Sequence, residues 1–504
     1  MKYLIYILSC LTCAAQGTYY LDAVNGKNYP TNNGTSTSTP WQYHPYSKLG
    51  VLTGYTHVAG DRFIYKGGVV VPEKDFPLVP QNGGSSLSVQ DYYGIDGSWG
   101  TGKAIFDDQL VGANSSAGSL DQMLNNKFIN MDSANFTTIS GIIITNLNWA
   151  NHSNLVYCIE TANNFITVTN CDFLCYSNLT GGIGSDLLIL NYGSTVGSHA
   201  TVTHCTGTCL PSTQYSGAFC YYINDMNNCV IHDMPNAYEG IATNVSYNVI
   251  YNIQHSVATD NHENCIEVFP IQDGFCNVTH NWVTNCHTGT IIAAENLNVL
   301  TNHTTTLNIF DNILGNNSGT LTPAIAIGGK PSAEVGNGIC GVANIINNLI
   351  QDGLGAGSSQ AYIRVSGTPD YSQWAKINAT NNYFITQASG LAQLDSGCTT
   401  TISENHELVQ NNAIAASYGA TTNNSWQPLI NTSPTINAGV SQTAFMLSIG
   451  LPNVDMAFNN FTNDIGAFQF LGTNSPIVMA GITIKKGNSM VIKKKSNGVI
   501  IKHP

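Results

Sequence analysis

The fold class predicted by this 504-residue sequence is all-β: a single-stranded solenoid of short parallel strands with a small C-terminal β tail. Three observations predict it. An Asn followed by an apolar residue returns as Asn248-Val249, Asn281-Trp282, Asn312-Ile313, Asn348-Leu349 and Asn382-Tyr383, at intervals of 33, 31, 36 and 34 residues. Short runs with apolar alternation recur between these points, among them Cys158-Ile159-Glu160, Leu188-Ile189-Leu190-Asn191, Gly240-Ile241-Ala242 and Cys265-Ile266-Glu267-Val268-Phe269. Alternation of this kind marks strands with one buried face. Finally, only 9% of residues are charged, against about 25% in ordinary globular domains. Gly, Asn, Thr and Ser take their place, which suits turns and strands and disfavours helical bundles.

Taken in order, residues 1–17 read as a signal peptide. Lys2 supplies the positive region, residues 3–13 the apolar stretch, and Ala14-Ala15-Gln16-Gly17 a small-residue exit. The apolar stretch is too short to span a bilayer, and nothing later is long and apolar enough to do so. A secreted or cell-surface protein is therefore expected. Residues 18–470 are assigned to the solenoid. In its coils the repeated Asn tolerates a left-handed bend, and its amide can bond to the same amide one coil above and below. The copies at Cys171 and Cys205 carry Cys at that place. The intervals exceed what three strands and tight turns need, so the surplus is expected in loops, with residues 296–306 and 353–360 as candidates. Residues 471–504 form a tail with six Lys and no acid. Ile482-Thr483-Ile484, Met490-Val491-Ile492 and Val499-Ile500-Ile501 read there as strands between Lys-rich turns.

The stretches Tyr19-Tyr20-Leu21-Asp22, Asn32-Asn33-Gly34-Thr35, Thr39-Pro40-Trp41, the run 58–68, Tyr93-Gly94 and the run 102–107 follow one another near the N-terminus. This succession resembles the N-terminal cap and first coil of secreted right-handed parallel β-helix proteins, the pectin-lyase-like superfamily. Ser433-Pro434-Thr435-Ile436-Asn437-Ala438-Gly439 and Asp464-Ile465-Gly466-Ala467-Phe468 look like the closing coils of the same group. The resemblance spans residues 19–470. It implies a right-handed parallel β-helix that handles carbohydrate.

The formal charge is −13, and residues 128–329 contain no Lys or Arg. Nucleic acid is excluded as a partner by this balance; a polysaccharide or other glycan is the expected one. Fourteen Cys include Cys10 and Cys13, leaving twelve beyond the signal peptide. No paired Cys-x-x-Cys sites appear, so the cysteines are read as small buried residues stacked on neighbouring rungs, some bridged, rather than as metal ligands.

Parallel strands stack at about 4.8 Å, so equivalent outward residues form a ladder along which a sugar chain can lie. The ladder is expected to hold Glu160, Asn191, Asn244, Glu267, Glu295, Lys330 and Arg364. Asp225, Asp233, Glu239, His255, Asp260, His262, Glu263 and Asp273 are placed in the flanking turns. The order Asn, Glu, Glu, Lys, Arg is loosely similar to that of Ca²⁺-dependent β-helix lyases of the chondroitinase-B and alginate-lyase type. That likeness implies polysaccharide β-elimination. Glu267 and Glu295 would hold Ca²⁺ against a uronate carboxylate. Lys330, Arg364 and His262 would transfer protons, and Asn191, Asn244, Asp260 and Glu263 would bind substrate. Two alternatives stay open. Paired carboxylates about 5–9 Å apart suffice for glycoside hydrolysis, although the Asn-x-Asp, Asp-Asp, Gly-His-Gly and Arg-x-Lys set of β-helix polygalacturonases is absent. A non-catalytic glycan-binding or adhesin role would use the 24 Tyr and 6 Trp as stacking faces.

Overall fold

A computed structural model describes residues 16–50, 55–72, 75–107, 127–148, 157–161, 165–176, 187–191, 199–210, 218–253, 264–270, 273–286, 290–295, 304–315, 324–328, 340–351, 363–366, 374–386, 394–396, 401–405, 408–411, 417, 433–439, 441–444, 464–467, 477–479, 482–484, 491–494 and 500–502. The signal-peptide reading falls outside them, apart from Gln16 and Gly17.

Three sheets of 13, 12 and 10 strands run through this region, and every pairing within them is parallel. The chain visits the first, second and third sheet in turn and then starts the next coil, so each strand pairs with its counterpart one coil on. Parallel crossovers are right-handed, and the molecule is a single-stranded right-handed parallel β-helix. The tail is a separate four-stranded antiparallel sheet, Ile477–Met479, Ile482–Ile484, Val491–Lys494 and Ile500–Lys502. Its first strand is absent from the sequence reading.

The core is a set of columns. On the second sheet Phe173, Gly207, Ile231, Ile250, Val283, Leu314, Ile350 and Phe384 are successive register partners. Their side chains are buried, and each large one contributes about 1.5–3 kcal/mol of burial. Gly207 interrupts the column for a reason: a Cβ there would lie 2.5 Å from the Phe219 ring, which fills the space from the third sheet. The third sheet's inward column includes Cys220, Tyr238, Ile266, Ile292 and Ile325. Tyr238 is tolerated inside because its hydroxyl donates to the Ile223 and Ile241 carbonyls at 2.6 and 2.9 Å.

The corner between the first and second sheets carries the asparagine repeat. Asn248, Asn281, Asn312, Asn348 and Asn382 lie at equivalent places one coil apart. Each of the first four donates through Nδ2 to the next Oδ1 at 2.9–3.1 Å. Nδ2 also donates to a carbonyl of the preceding coil, and Oδ1 accepts the backbone N–H of the preceding row member. The left-handed bend belongs to the residue before. Tyr247, His280, Asp311, Asn347 and Asn381 have φ of 51–58°, whereas the row asparagines do not. The bend was expected at the row residue itself. Its amide is spent on the row, so a neighbour makes the turn. The same corner holds Cys171, Cys205 and Cys229 in the earlier coils. Each thiol's one proton lies between two carbonyls, that of Thr169, Thr203 or Asn227 at 3.3 Å and that of Ile139, Val168 or Val202 at 3.6–3.9 Å, the second being where an Asn Nδ2 donates in the later coils. Burial pushes the Cys171 and Cys205 thiols well above their ordinary range. Cys265 and Cys286 pair as a disulfide.

A second amide row faces outward on the first sheet. Asn378, Asn344, Asn308, Asn277 and Asn244 each donate to the preceding member, and Asn244 donates to Asp225 at 2.6 Å. At the N-terminal end buried aspartates tie the cap to the first coils. Asp22 accepts Lys66 Nζ at 2.8 Å and the Val24 and Asn25 N–H groups. Asp91 meets His57 Nε2 at 2.8 Å and the Gly60 N–H.

Coil length varies sharply. The step from Cys229 to Asn248 takes 19 residues, against 31–36 for the four steps that follow. In that short coil one residue, Pro235, joins Val230–Met234 to Asn236–Gly240. The coil has no residues to spare for a loop.

Candidate glycan site on the third sheet

Alternation along each third-sheet strand sends Ile266 and Val268 into the core and Glu267 to the outer face. The register carries that outer position from strand to strand. Leu190, Tyr221, Glu239, Glu267, Ala293, Ala326, Arg364 and Asp395 are successive partners. Glu239 and Glu267 are thus neighbours in one column, with Tyr221 one rung before them. Glu239 belongs to the 19-residue coil. Tyr221 and Glu239 are half-buried, while Glu267 is 4% exposed and Ala293 3%.

Glu267 is held in place. Asn264 Nδ2 donates to its Oε2 at 3.0 Å, and Asn264 Oδ1 accepts the Thr290 N–H at 3.1 Å. The amide is thereby oriented by the next coil. On the other side Tyr221 and Tyr222 pack edge to face, with ring centroids 4.4 Å apart. Burial raises both hydroxyls above their ordinary range, and the Glu239 and Glu267 charges raise them further. Both therefore stay protonated, with the Tyr221 hydroxyl bonded to that of Tyr222. Tyr222 sits at φ 56°, and its N–H donates to the Glu239 carbonyl at 3.0 Å. Gly240 lets it approach: a Cβ at 240 would lie 2.7 Å from Tyr222 N, and Gly240 itself has φ 127°.

The structure rearranges the expected ladder. Asn191 pairs with Thr161, one residue past Leu190, so it belongs to the alternate register and not to the glutamate column. Asn244 lies on the first sheet in the outward amide row. Glu295 pairs with Gly328, two residues along from Ala293, so it shares the face but not the column of Glu267. Arg364 does share the column, three strands beyond Glu267, or about 14 Å between backbones. Glu160 also keeps its place, as the partner of Leu190. Lys330, Asp260, His262, Glu263 and His255 lie outside the described residues. Glu239, Asp225 and Asp233, expected in turns, are in strands. Asp273 lies just before Gly274–Thr279 and accepts the Thr304 N–H at 2.7 Å.

The sequence reading puts Glu239 in a turn and misses Tyr221 and Tyr222. It takes Gly240-Ile241-Ala242 as the rung before Glu267, whereas the rung is Asn236–Gly240. A signal was present in Ala218-Phe219-Cys220-Tyr221, an apolar run of strand length.

Among the described residues, no three or more His, Cys, Asp or Glu gather so as to hold a metal ion. The buried pair of His280 and Asp311, 3.5 Å apart, is on the far corner, where the His280 ring also stacks on Tyr247. Among the described residues, no helix is long and apolar enough to cross a membrane.

No protein-family model and no curated protein sequence matches this chain. Solved structures with a similar course of chain include a GH136 lacto-N-biosidase from Eubacterium ramulus, 12% identical over 78% of this chain and 68% of that one, with a TM-score of 0.39. Pectate lyase Pel9A is 11% identical over 91% and 98%, with a TM-score of 0.41. The A-module of the Azotobacter vinelandii mannuronan C-5 epimerase AlgE4 is 9% identical over 70% and 89%, with a TM-score of 0.23. These likenesses assign neither activity nor substrate to the chain.

Proposed function

We propose that this β-helix is an extracellular glycoside hydrolase that uses Glu239 and Glu267 as its carboxylate pair. One observation carries the reading: the two glutamates are direct register partners on the outer face of the third sheet. Neighbouring strands are about 4.8 Å apart, close to the roughly 5–5.5 Å between carboxyls in retaining glycosidases. The roles follow from surroundings. Glu267, oriented by Asn264, is the nucleophile, because attack at the anomeric carbon needs a fixed carboxylate. Glu239, more open to solvent, protonates the leaving oxygen and then activates the water that releases the sugar.

Elimination is supported less well. It needs cation ligands and a proton-transfer group within a few ångströms of one sugar carbon. Arg364 is three strands from Glu267, and Glu295 is out of its column. Calcium at Glu267 would need further oxygen ligands.

The test is a polysaccharide panel read for new reducing ends and for unsaturated-uronate absorbance, with the anomer of the first product followed by NMR. Reducing ends without unsaturation, retained configuration and insensitivity to a chelator are expected. Unsaturated products would restore elimination, and inverted configuration would remove Glu267 as nucleophile.

A further inference from the structure

We propose that Tyr221 and Tyr222 form a stacking subsite for an uncharged pyranose, one rung to the N-terminal side of the carboxylates. The assignment rests on the hydrolase reading of Glu239 and Glu267. Tyr221 is the register partner of Glu239, as Glu239 is of Glu267. A sugar ring is about as long as one rung is wide, so a ring lying over Tyr221 brings its glycosidic oxygen to the carboxylates.

Tyr222 gives the subsite a second wall. Its ring stands at 68° to that of Tyr221, with the centroids 4.4 Å apart. The arrangement is built at some cost. A bulky side chain in the left-handed region is strained, and the opposing position has to be Gly240. Elsewhere the left-handed corners mostly carry Asn, Asp or His, residues that bend this way more easily. Phe269 backs the Tyr222 ring at 6.1 Å. The Tyr221 hydroxyl is bonded to that of Tyr222, which leaves the Tyr222 proton for a sugar oxygen beside the stacked face.

Charge selects the class of sugar. Beside Tyr221 the column carries the carboxylates Glu239 and Glu267, residues 128–329 contain no Lys or Arg, and Arg364, in the same column, is five strands from Tyr221. A uronate over Tyr221 would add an anion next to Glu239 with no cation from these coils to offset it. A neutral pyranose meets an aromatic face and the Tyr222 hydroxyl without that penalty.

The test uses full-length Glu267→Gln protein, which separates binding from turnover. It is titrated calorimetrically with the β-linked hexasaccharides of glucose, galactose and N-acetylglucosamine, and with hexagalacturonate. At least one neutral sugar is expected to bind, and hexagalacturonate is not. Adding Tyr221→Ala or Tyr222→Ala should weaken the neutral sugar about 3–10-fold, while Tyr221→Phe stays near the parent. Tyr222→Asn removes the ring yet suits the left-handed backbone, so it controls for misfolding. Binding of none of the neutral sugars, equal affinity for hexagalacturonate, or indifference to both ring deletions overturns the subsite. Tyr-dependent binding of a sugar that the wild-type protein never hydrolyses supports the subsite and overturns the hydrolase reading alone.

Discussion

Two stacks of polar side chains run along this solenoid, and they differ in what they repeat. The corner row from Asn248 to Asn382 places the same amide at every coil, buried and bonded on all sides. The third-sheet column changes at each rung: Leu190, Tyr221, Glu239, Glu267, Ala293. A row of identical groups can satisfy itself, because each amide has donors and acceptors for its twin. A column of unlike groups cannot, and two carboxylates side by side repel. Repetition in register is how this fold stabilises a seam. The proposed carboxylate pair lies where such repetition is lacking.

The sharpest way to break that contrast is to damage each stack in turn. Glu239→Gln and Glu267→Gln should each lower turnover about 10³-fold or more, with melting temperature held within about 2 °C. A large stability loss in either would make the column structural after all. Asn312→Ala should do the reverse. It deletes bonds to the Val278 carbonyl, the Asn348 amide and the Asn281 backbone and side chain, leaving their buried partners unmet. A cost of about 3–5 kcal/mol in denaturant unfolding is expected.

A finer experiment extends the row. Cys229 N–H already donates to Asn248 Oδ1, and Cys229 Sγ points to the Val202 carbonyl. In Cys229→Asn the new Nδ2 would reach both acceptors, for a gain of about 0.5–1.5 kcal/mol. A destabilised variant would mean that the thiol coils pack differently from the amide coils.

The smallest effects concern pH. For Asp225, at the end of the outward row, burial raises the pKa more than the Asn244 bond and the His199 charge lower it. Its contribution to stability is full below the ordinary carboxylate value of 3.8 and is lost as pH rises through the raised folded value. Asp22 in the cap runs the other way. Burial would raise it, but Lys66, Asn25 and Val24 together hold it below 3.8. Its contribution is present above that value and is lost as pH falls through the lowered one. Asp225→Asn should therefore hold or slightly raise stability at pH 7, and Asp22→Asn should lower it. Melting temperatures of both from pH 3 to 8 check the signs.

The corner row was legible in the sequence because one residue type does one job at nearly constant spacing. Even the Cys copies at Cys171 and Cys205 could be placed, since a thiol and an amide share a donor role there. The glutamate column was not legible, because it depends on counting rungs through coils of unequal length. The 19-residue coil breaks the 31–36 residue interval just where Glu239 sits. Its strand Asn236–Gly240 hides its period too, since a tyrosine, Tyr238, takes the inward place. Glu267 was found because Ile266 and Val268 flank it; Glu239 has no such flanks.

The corner row also has a direction. Each Nδ2 from Asn248 to Asn348 donates toward the following coil, whereas the outward row donates toward the preceding one. An amide that turned over would set nitrogen against nitrogen on one side and oxygen against oxygen on the other. No member can reverse alone, so an orientation adopted at one coil is inherited by the next, as letters in a line of type all face one way. Such a string copies itself. A whole coil inserted between Asn312 and Asn348 would take up the same orientation and lengthen the molecule, while Glu239 and Glu267 stayed side by side.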